Sequence, residues 1–294
     1  MSETKDRMSS LKTLPRRGVA PSSPRFDITH GGLFDASAAD YERHRPAYPN
    51  AVIQEMLDLS DLRPDSRLLE IGCGTGQATL SLASRGYSID CVDPGKNMIS
   101  LAQEKCRQWP RVRFISARFE EAILPSGAYD LVFSAQAFHW ITPVMRLRKA
   151  ARLLRPGGSL ALLYNYPAAA RGEALERLSS LIHRASDGRL PPWDYAEEVR
   201  GWLREMEGCS LFQRPSIFRH SWYQRYTAEE YVGLFRTYSD FLSLPKALQQ
   251  RVAAAIHRFI IQHGGSVRRS YHCFLIHTLK QVTPTFARLR QIGV

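Results

Sequence analysis

Glu70-Ile71-Gly72-Cys73-Gly74-Thr75-Gly76-Gln77 decides the fold. It ends the apolar run RLLEIG (67–72) and opens a helical pattern near 76–85, so a strand turns into a helix through three glycines. Glycine at such a turn lets the backbone approach a ligand closely and leaves the helix N-terminus aimed at it. A dinucleotide site needs G-x-G-x-x-G counted from Gly72, but Gln77 holds the third glycine's place and Gly76 comes one residue early. A carboxylate such as Glu70 repels a diphosphate and attracts an ammonium or sulfonium. The loop is therefore shaped for a ligand that carries positive charge.

Outward from this turn, short apolar runs alternate with helical patterns. SIDCVD (88–93) precedes a helix near 96–107, VRFISA (112–117) follows, DLVFSAQ (130–136) precedes a helix near 143–154, and SLALLYNY (159–166) comes next. Such alternation specifies βαβ units and a parallel sheet covered by helices on both faces. SIFRHSWYQRY (216–226) and SVRRSYHCFLIHTL (266–279) flank a helical stretch over roughly 228–263 and read as an antiparallel edge. The expected architecture is a doubly wound, mostly parallel seven-stranded α/β sheet. Between 167 and 215 the pattern turns helical and irregular, with Leu175, Leu178 and Ile182 at helical spacing and a break at Pro191-Pro192-Trp193. This segment reads as a helical cap inserted into one catalytic domain, 33–294. Residues 1–32 are polar, rich in Ser, Pro and Arg, without periodicity, and read as a disordered tail.

The chain carries a net charge of +12, unevenly placed. Residues 31–199 balance twenty Lys/Arg with twenty Asp/Glu, whereas 200–294 carry fourteen against five. The excess suits a solvated basic face or attraction of an anionic substrate. No run of five basic residues and no nucleic-acid-binding signature occurs. The first 30 residues lack the apolar run of a secretory signal and no run of about 18 apolar residues is present, which points to a cytoplasmic protein without a membrane partner. Five cysteines, Cys73, Cys91, Cys106, Cys209 and Cys273, show no CxxC spacing, so they read as reduced thiols and not as a disulfide framework or a metal site. Oligomeric state is not legible.

Asp93 ends the second run of the sheet, where its carboxylate can accept both hydroxyls of a ribose or, alternatively, cap the following helix. Ser134, Gln136, His139 and Trp140 follow the fourth run at the carboxyl edge of the sheet, where open α/β folds bind ligands. His139 has an ordinary pKa near neutrality and so could act as a general base or simply shape the pocket. Trp140 offers an N–H or an apolar wall, and Tyr164 and Tyr166 offer ring faces to a cation.

With Glu70–Gly76, the Val92-Asp93-Pro94 turn followed by Met98, and the Arg155-Pro156-Gly157-Gly158 turn, the chain resembles the class I S-adenosylmethionine-dependent methyltransferases. Tyr41-Glu42-Arg43-His44-Arg45-Pro46-Ala47-Tyr48-Pro49, Ala137-Phe138-His139-Trp140 and Thr237-Tyr238-Ser239 are similar to the trans-aconitate methyltransferase-like branch. The resemblance spans roughly 34–280. It implies S-adenosyl-L-methionine as cofactor, with Gly72, Gly74 and Gly76 under it, Glu70 at its amino-acid end and Asp93 on its ribose. It further implies Pro94 and Met98 beside the ribose, Phe119 and Glu120 at the adenine, Ser134 and Gln136 lining the cleft, and Tyr41 and Arg45 over the methionine end. Arg118 stands where many relatives carry Asp and could stack on the adenine instead. The implied reaction is methyl transfer to a small molecule, through a carboxylate or other oxygen, with His139, Trp140, Tyr164 and Tyr166 at the acceptor. Two other readings share the fold: a nucleic-acid or protein methyltransferase, and an enzyme that uses the same cofactor without giving up its methyl and releases methylthioadenosine.

Overall fold

The structure, a computed structural model, describes residues 4–8, 31–170, 172–190 and 196–282. In chain order the strands are β1 (Thr4–Met8), β2 (Arg67–Ile71), β3 (Ser88–Asp93), β4 (Val112–Ser116), β5 (Tyr129–Ala135), β6 (Leu154–Pro167), β7 (Ser216–Thr227) and β8 (Ser266–Leu279). The helices are α1 (Gly31–Ala36), α2 (Ala38–His44), α3 (Asn50–Leu59), α4 (Gln77–Ala83), α5 (Lys96–Cys106), α6 (Pro143–Leu153), α7 (Glu173–Ala185), α8 (Ala196–Glu207), α9 (Ala228–Phe235), α10 (Ser239–Leu242) and α11 (Lys246–Gln262). A single sheet runs β1-β7-β8-β6-β5-β2-β3-β4. From β6 to β4 every pairing is parallel, and β8, β7 and β1 add antiparallel.

All seven expected strands form. An eighth, β1, lies along the outer edge of β7, with Thr4 opposite Ser221 and Met8 opposite Ile217. The reading of 1–32 as structureless is thereby corrected at 4–8, and again where α1 begins at Gly31. The physical reason is that a sheet edge presents unpaired N–H and C=O groups, which an extended polar segment can satisfy without burying apolar side chains. The rest of that tail, the Pro191-Pro192-Trp193 break and residues 283–294 lie outside the described residues.

Successive residues of the central strands face opposite layers, as the pleat requires. Leu68, Ile89, Leu131, Phe133 and Leu163 pack with Val52, Ile53 and Met56 of α3, Leu82 of α4 and Val252 and Ile256 of α11. Leu69, Val92, Val132, Leu160 and Leu162 pack with Leu147 and Ala150 of α6 and Val199 and Trp202 of α8. Burial on both faces explains why these strands read as continuous apolar runs. The 167–215 segment divides between the layers: Leu178 and Ile182 of α7 join the first cluster, while Val199, Trp202, Leu203 and Met206 of α8 join the second. It therefore passes from one face of the sheet to the other. The registers Ile71 opposite Val92 and Ala135 opposite Leu163 put the carboxyl ends of β2, β3, β5 and β6 at one edge.

Candidate active site

The β2–α4 turn is built by three glycines with distinct tasks. Gly72 has φ +70°, and a Cβ there would overlap the Ala137 methyl. Gly76 has φ +79° as the residue that starts α4, and its Cβ would stand 3.0 Å from the Ala102 Cβ. Both conditions exclude side chains on packing grounds. Gly74 is different: a Cβ there would meet nothing within 4 Å, so its backbone faces open space. Its N–H donates to Asp93 Oδ2 at 2.9 Å, while Gly95 N–H donates to Oδ1 at 2.8 Å. Asp93 thus holds two loops together, in the capping role that its position allowed. Each carboxylate oxygen keeps a second lone pair, so acceptance from a ligand hydroxyl is still open. Burial, and then the neighbouring Asp35, raise its pKa from the ordinary carboxylate value.

Glu70 is 1% exposed and accepts a 2.5 Å hydrogen bond from the Thr79 hydroxyl of α4. Burial first, and the Asp93 charge in addition, push its pKa up to about 8 against the opposing effects of Thr79 and Lys105. At neutral pH it is therefore mostly uncharged and supports the glycine loop from within the fold.

Asp35 of α1 accepts N–H bonds from Asn97 at 2.7 Å and Met98 at 3.1 Å, at the first turn of α5. This capping contact, which the sequence reading did not find, ties α1 to the turn that carries Asp93 and the exposed Pro94; Met98 is buried beneath it. Arg45, just after α2, lies between the Tyr41 ring (5.1 Å) and the Tyr238 ring (4.5 Å), and donates to the Thr237 carbonyl at 2.7 Å. Tyr238 is the second residue that the sequence reading passed over, because its partner lies almost two hundred positions away.

On the far side of the cleft, the Phe119 ring is core, so only its backbone is available to a ligand. Glu120 Oε1 accepts from both the N–H and the hydroxyl of Thr142 at 3.0 Å, contacts that outweigh burial and lower its pKa. Arg118 lies 3.6 Å from Glu120 and 3.8 Å from Glu121. Ser134 is turned inward, its hydroxyl on the Ile71 carbonyl at 2.8 Å, joining β5 to β2. Gln136 sits at φ +60°, and its side-chain oxygen accepts the Asn165 N–H at 2.9 Å. A non-glycine residue held left-handed is a mark of sites where geometry is imposed by function.

His139 and Trp140 lie in the short 3₁₀ turn Phe138–Trp140. Their rings are 4.9 Å apart, with Phe34 edge-on to Trp140 at 5.5 Å and Tyr164 6.1 Å from His139. Burial, then Arg146 and Arg45, lower the His139 pKa to about 3. The expectation of a histidine poised near neutrality is thereby corrected: His139 is an uncharged wall of the site. Tyr164 and Tyr166 stack at 5.6 Å, and Trp202 of α8 stacks on Tyr164 at 5.3 Å. Among the described residues the buried Tyr164 hydroxyl has no hydrogen-bond partner. The Tyr166 hydroxyl bonds to the carboxyl of Glu198, also on α8.

Among the described residues no three His, Cys, Asp or Glu are grouped to hold a metal ion, and no helix is long and apolar enough to cross a membrane. The five cysteines are free.

Residues 69–162 match a family model described as a methyltransferase domain. The chain is 28% identical over 233 residues to an uncharacterized methyltransferase of Mycobacterium tuberculosis, covering 78% of this chain and 86% of that one. It is 34% identical over 116 residues to a trans-aconitate 2-methyltransferase of Deinococcus radiodurans, 38% of this chain and 43% of that protein. Among solved structures, a putative type II methyltransferase from Anaeromyxobacter dehalogenans superposes with a TM-score of 0.56 at 23% identity, over 79% of this chain and 97% of that one. At such identity the likeness speaks for the fold alone.

Proposed function

From a chain that carries a methyltransferase domain over residues 69–162 on the class I methyltransferase fold, we propose an enzyme that uses S-adenosyl-L-methionine to methylate an oxygen of a small molecule. The observation that carries this reading is the open backbone face at Gly74 beside Asp93, whose carboxylate is pinned by the loop's own amide. That arrangement fits a ribose and leaves no room for a diphosphate against acidic groups. Bound there, S-adenosylmethionine supplies a methyl group already activated by its positive sulfur.

The chain's own residues then have to bind, align and exclude water. Asp93 holds the ribose, with Pro94 and Met98 beside it. The Phe119 backbone and Glu120 read the adenine, with Arg118 at its margin. Tyr41 and Arg45 close over the amino-acid end, in a position fixed by Tyr238 and Thr237. Gln136 and Ser134 set the floor; His139, Trp140, Tyr164 and Tyr166 wall the acceptor end. The partial likeness to a trans-aconitate methyltransferase favours an acidic acceptor, whereas the charges around the pocket favour a protonated oxygen.

Titration calorimetry with S-adenosylhomocysteine and with NAD tests the binding half: only the former should bind. Mass spectrometry of the adenosyl product tests the other half. S-adenosylhomocysteine is expected; methylthioadenosine would rule out methyl transfer.

A further inference from the structure

The acceptor end of the cleft carries acid groups where an acidic substrate would need basic ones. Glu198 stands near the N-terminus of α8, half-buried, and its carboxyl is hydrogen-bonded by Tyr166 from β6. The titratable groups facing it are Tyr166 and Tyr164 from β6 and Asp240 from α10. The other acid of that helix face, Glu205, is bound to Arg146 and is not available. His139 is held neutral by burial and by Arg146 and Arg45, so it is a poor proton acceptor. One polar atom among the stacked rings has no partner among the described residues: the Tyr164 hydroxyl, 1% exposed. A buried hydroxyl left unbonded costs about 1–3 kcal/mol, which a ligand atom placed there would recover.

We propose that Glu198, oriented by Tyr166, takes the proton of an uncharged phenol-type hydroxyl whose oxygen is held by Tyr164. This deepens, and rests on, the methyl-transfer reading. The acceptor's O–H bond breaks as its proton moves to the Glu198 carboxylate. The electron pair so freed forms the oxygen–methyl bond, and the pair of the broken carbon–sulfur bond stays on sulfur. The positive charge of the sulfonium and the negative charge of Glu198 both vanish, so charge balances. Aromatic walls at 5–6 Å from one another suit a flat acceptor. Burial and Asp240 raise the Glu198 pKa while the Tyr166 bond lowers it, which brings the carboxylate closer to a base's working range.

The test uses the full chain with S-adenosylhomocysteine bound, and phenol, benzoate and benzylamine as probes of one size and three charges. Calorimetry at pH 8 should show phenol bound about tenfold or more tightly than benzoate, because two carboxylates face the anion. In Glu198→Gln that gap should shrink to about threefold or less while S-adenosylhomocysteine affinity stays unchanged. With a phenol turned over, Glu198→Gln should lose about 10²–10⁴ in rate. Tyr166→Phe should move the acid limb of the pH profile upward, since Glu198 loses the bond that lowers its pKa. Benzoate or benzylamine bound as tightly as phenol, no phenol binding, or an unchanged gap in Glu198→Gln would overturn the proposal. Failure of S-adenosylhomocysteine itself to bind would instead strike the methyl-transfer reading beneath it. The melting temperature of each variant, if within about 3 °C of the wild type, excludes a folding defect as the cause.

Discussion

Raising the pH should destabilise the ligand-free protein through Glu70 alone. Its carboxyl is 1% exposed and its pKa stands at about 8, against 4.5 for an ordinary glutamate. A carboxyl whose pKa is raised by folding stabilises the fold fully below the unfolded value, and that contribution is lost as pH climbs to the folded value. The window is therefore roughly pH 4.5 to 8, and within it stability falls by about 1.4 kcal/mol per pH unit. Between pH 6 and 8 the loss is about 2–3 kcal/mol, or roughly 5 °C in melting temperature for a chain of this size. Glu70→Gln keeps the shape and the bond to Thr79 but cannot ionise. Melting curves of the two proteins at pH 6, 7, 8 and 9 should thus diverge, the variant gaining on the wild type by several degrees at the alkaline end. Parallel curves, with a difference independent of pH, would refute the claim that burial keeps Glu70 protonated.

Asp93→Ala should weaken S-adenosylhomocysteine binding about tenfold or more by calorimetry, since charged hydrogen bonds contribute about 1.5–3 kcal/mol, with circular dichroism unchanged. Gly72→Ala should cost about 2–4 kcal/mol in denaturant unfolding, adding a left-handed side chain to the overlap with Ala137. His139→Asn should keep turnover within about tenfold and leave the pH profile between 6 and 9 unaltered, because a group with a pKa of about 3 does not titrate there.

The sheet was readable because its strands are buried on both faces and so announce themselves as apolar runs, and because Gly72–Gly76 can only be a tight strand-to-helix turn. What escaped was long-range. Strand β1 is polar, and nothing in TKDRM says that it will lie along β7; only the open edge, built two hundred residues later, makes that place available. Asp35 looks like any first-turn acid until α5 is placed before it. Glu198 sits in a helix whose i, i+4 spacing to Trp202 reads as plain amphipathicity, and its link to Tyr166 exists only after the segment has crossed the sheet edge.

His139 shows the same limit from the other direction. Its place at the carboxyl edge was correct, but a histidine's role depends on its solvation, and solvation is a property of the whole fold. Two arginines, one just after α2 and one on α6, both approach the ring that α8 and β6 help to bury. Each of these disfavours the imidazolium, so the residue whose ordinary pKa best suits acid–base work is the one this fold makes unable to do it. The carboxylate of Glu198, ordinarily too weak a base, is shifted the opposite way by burial and by Asp240. The two groups exchange suitability because burial disfavours charge of either sign: it lowers a base's pKa and raises an acid's. Residue type alone therefore points to the wrong proton acceptor, and the walls of the pocket decide the matter.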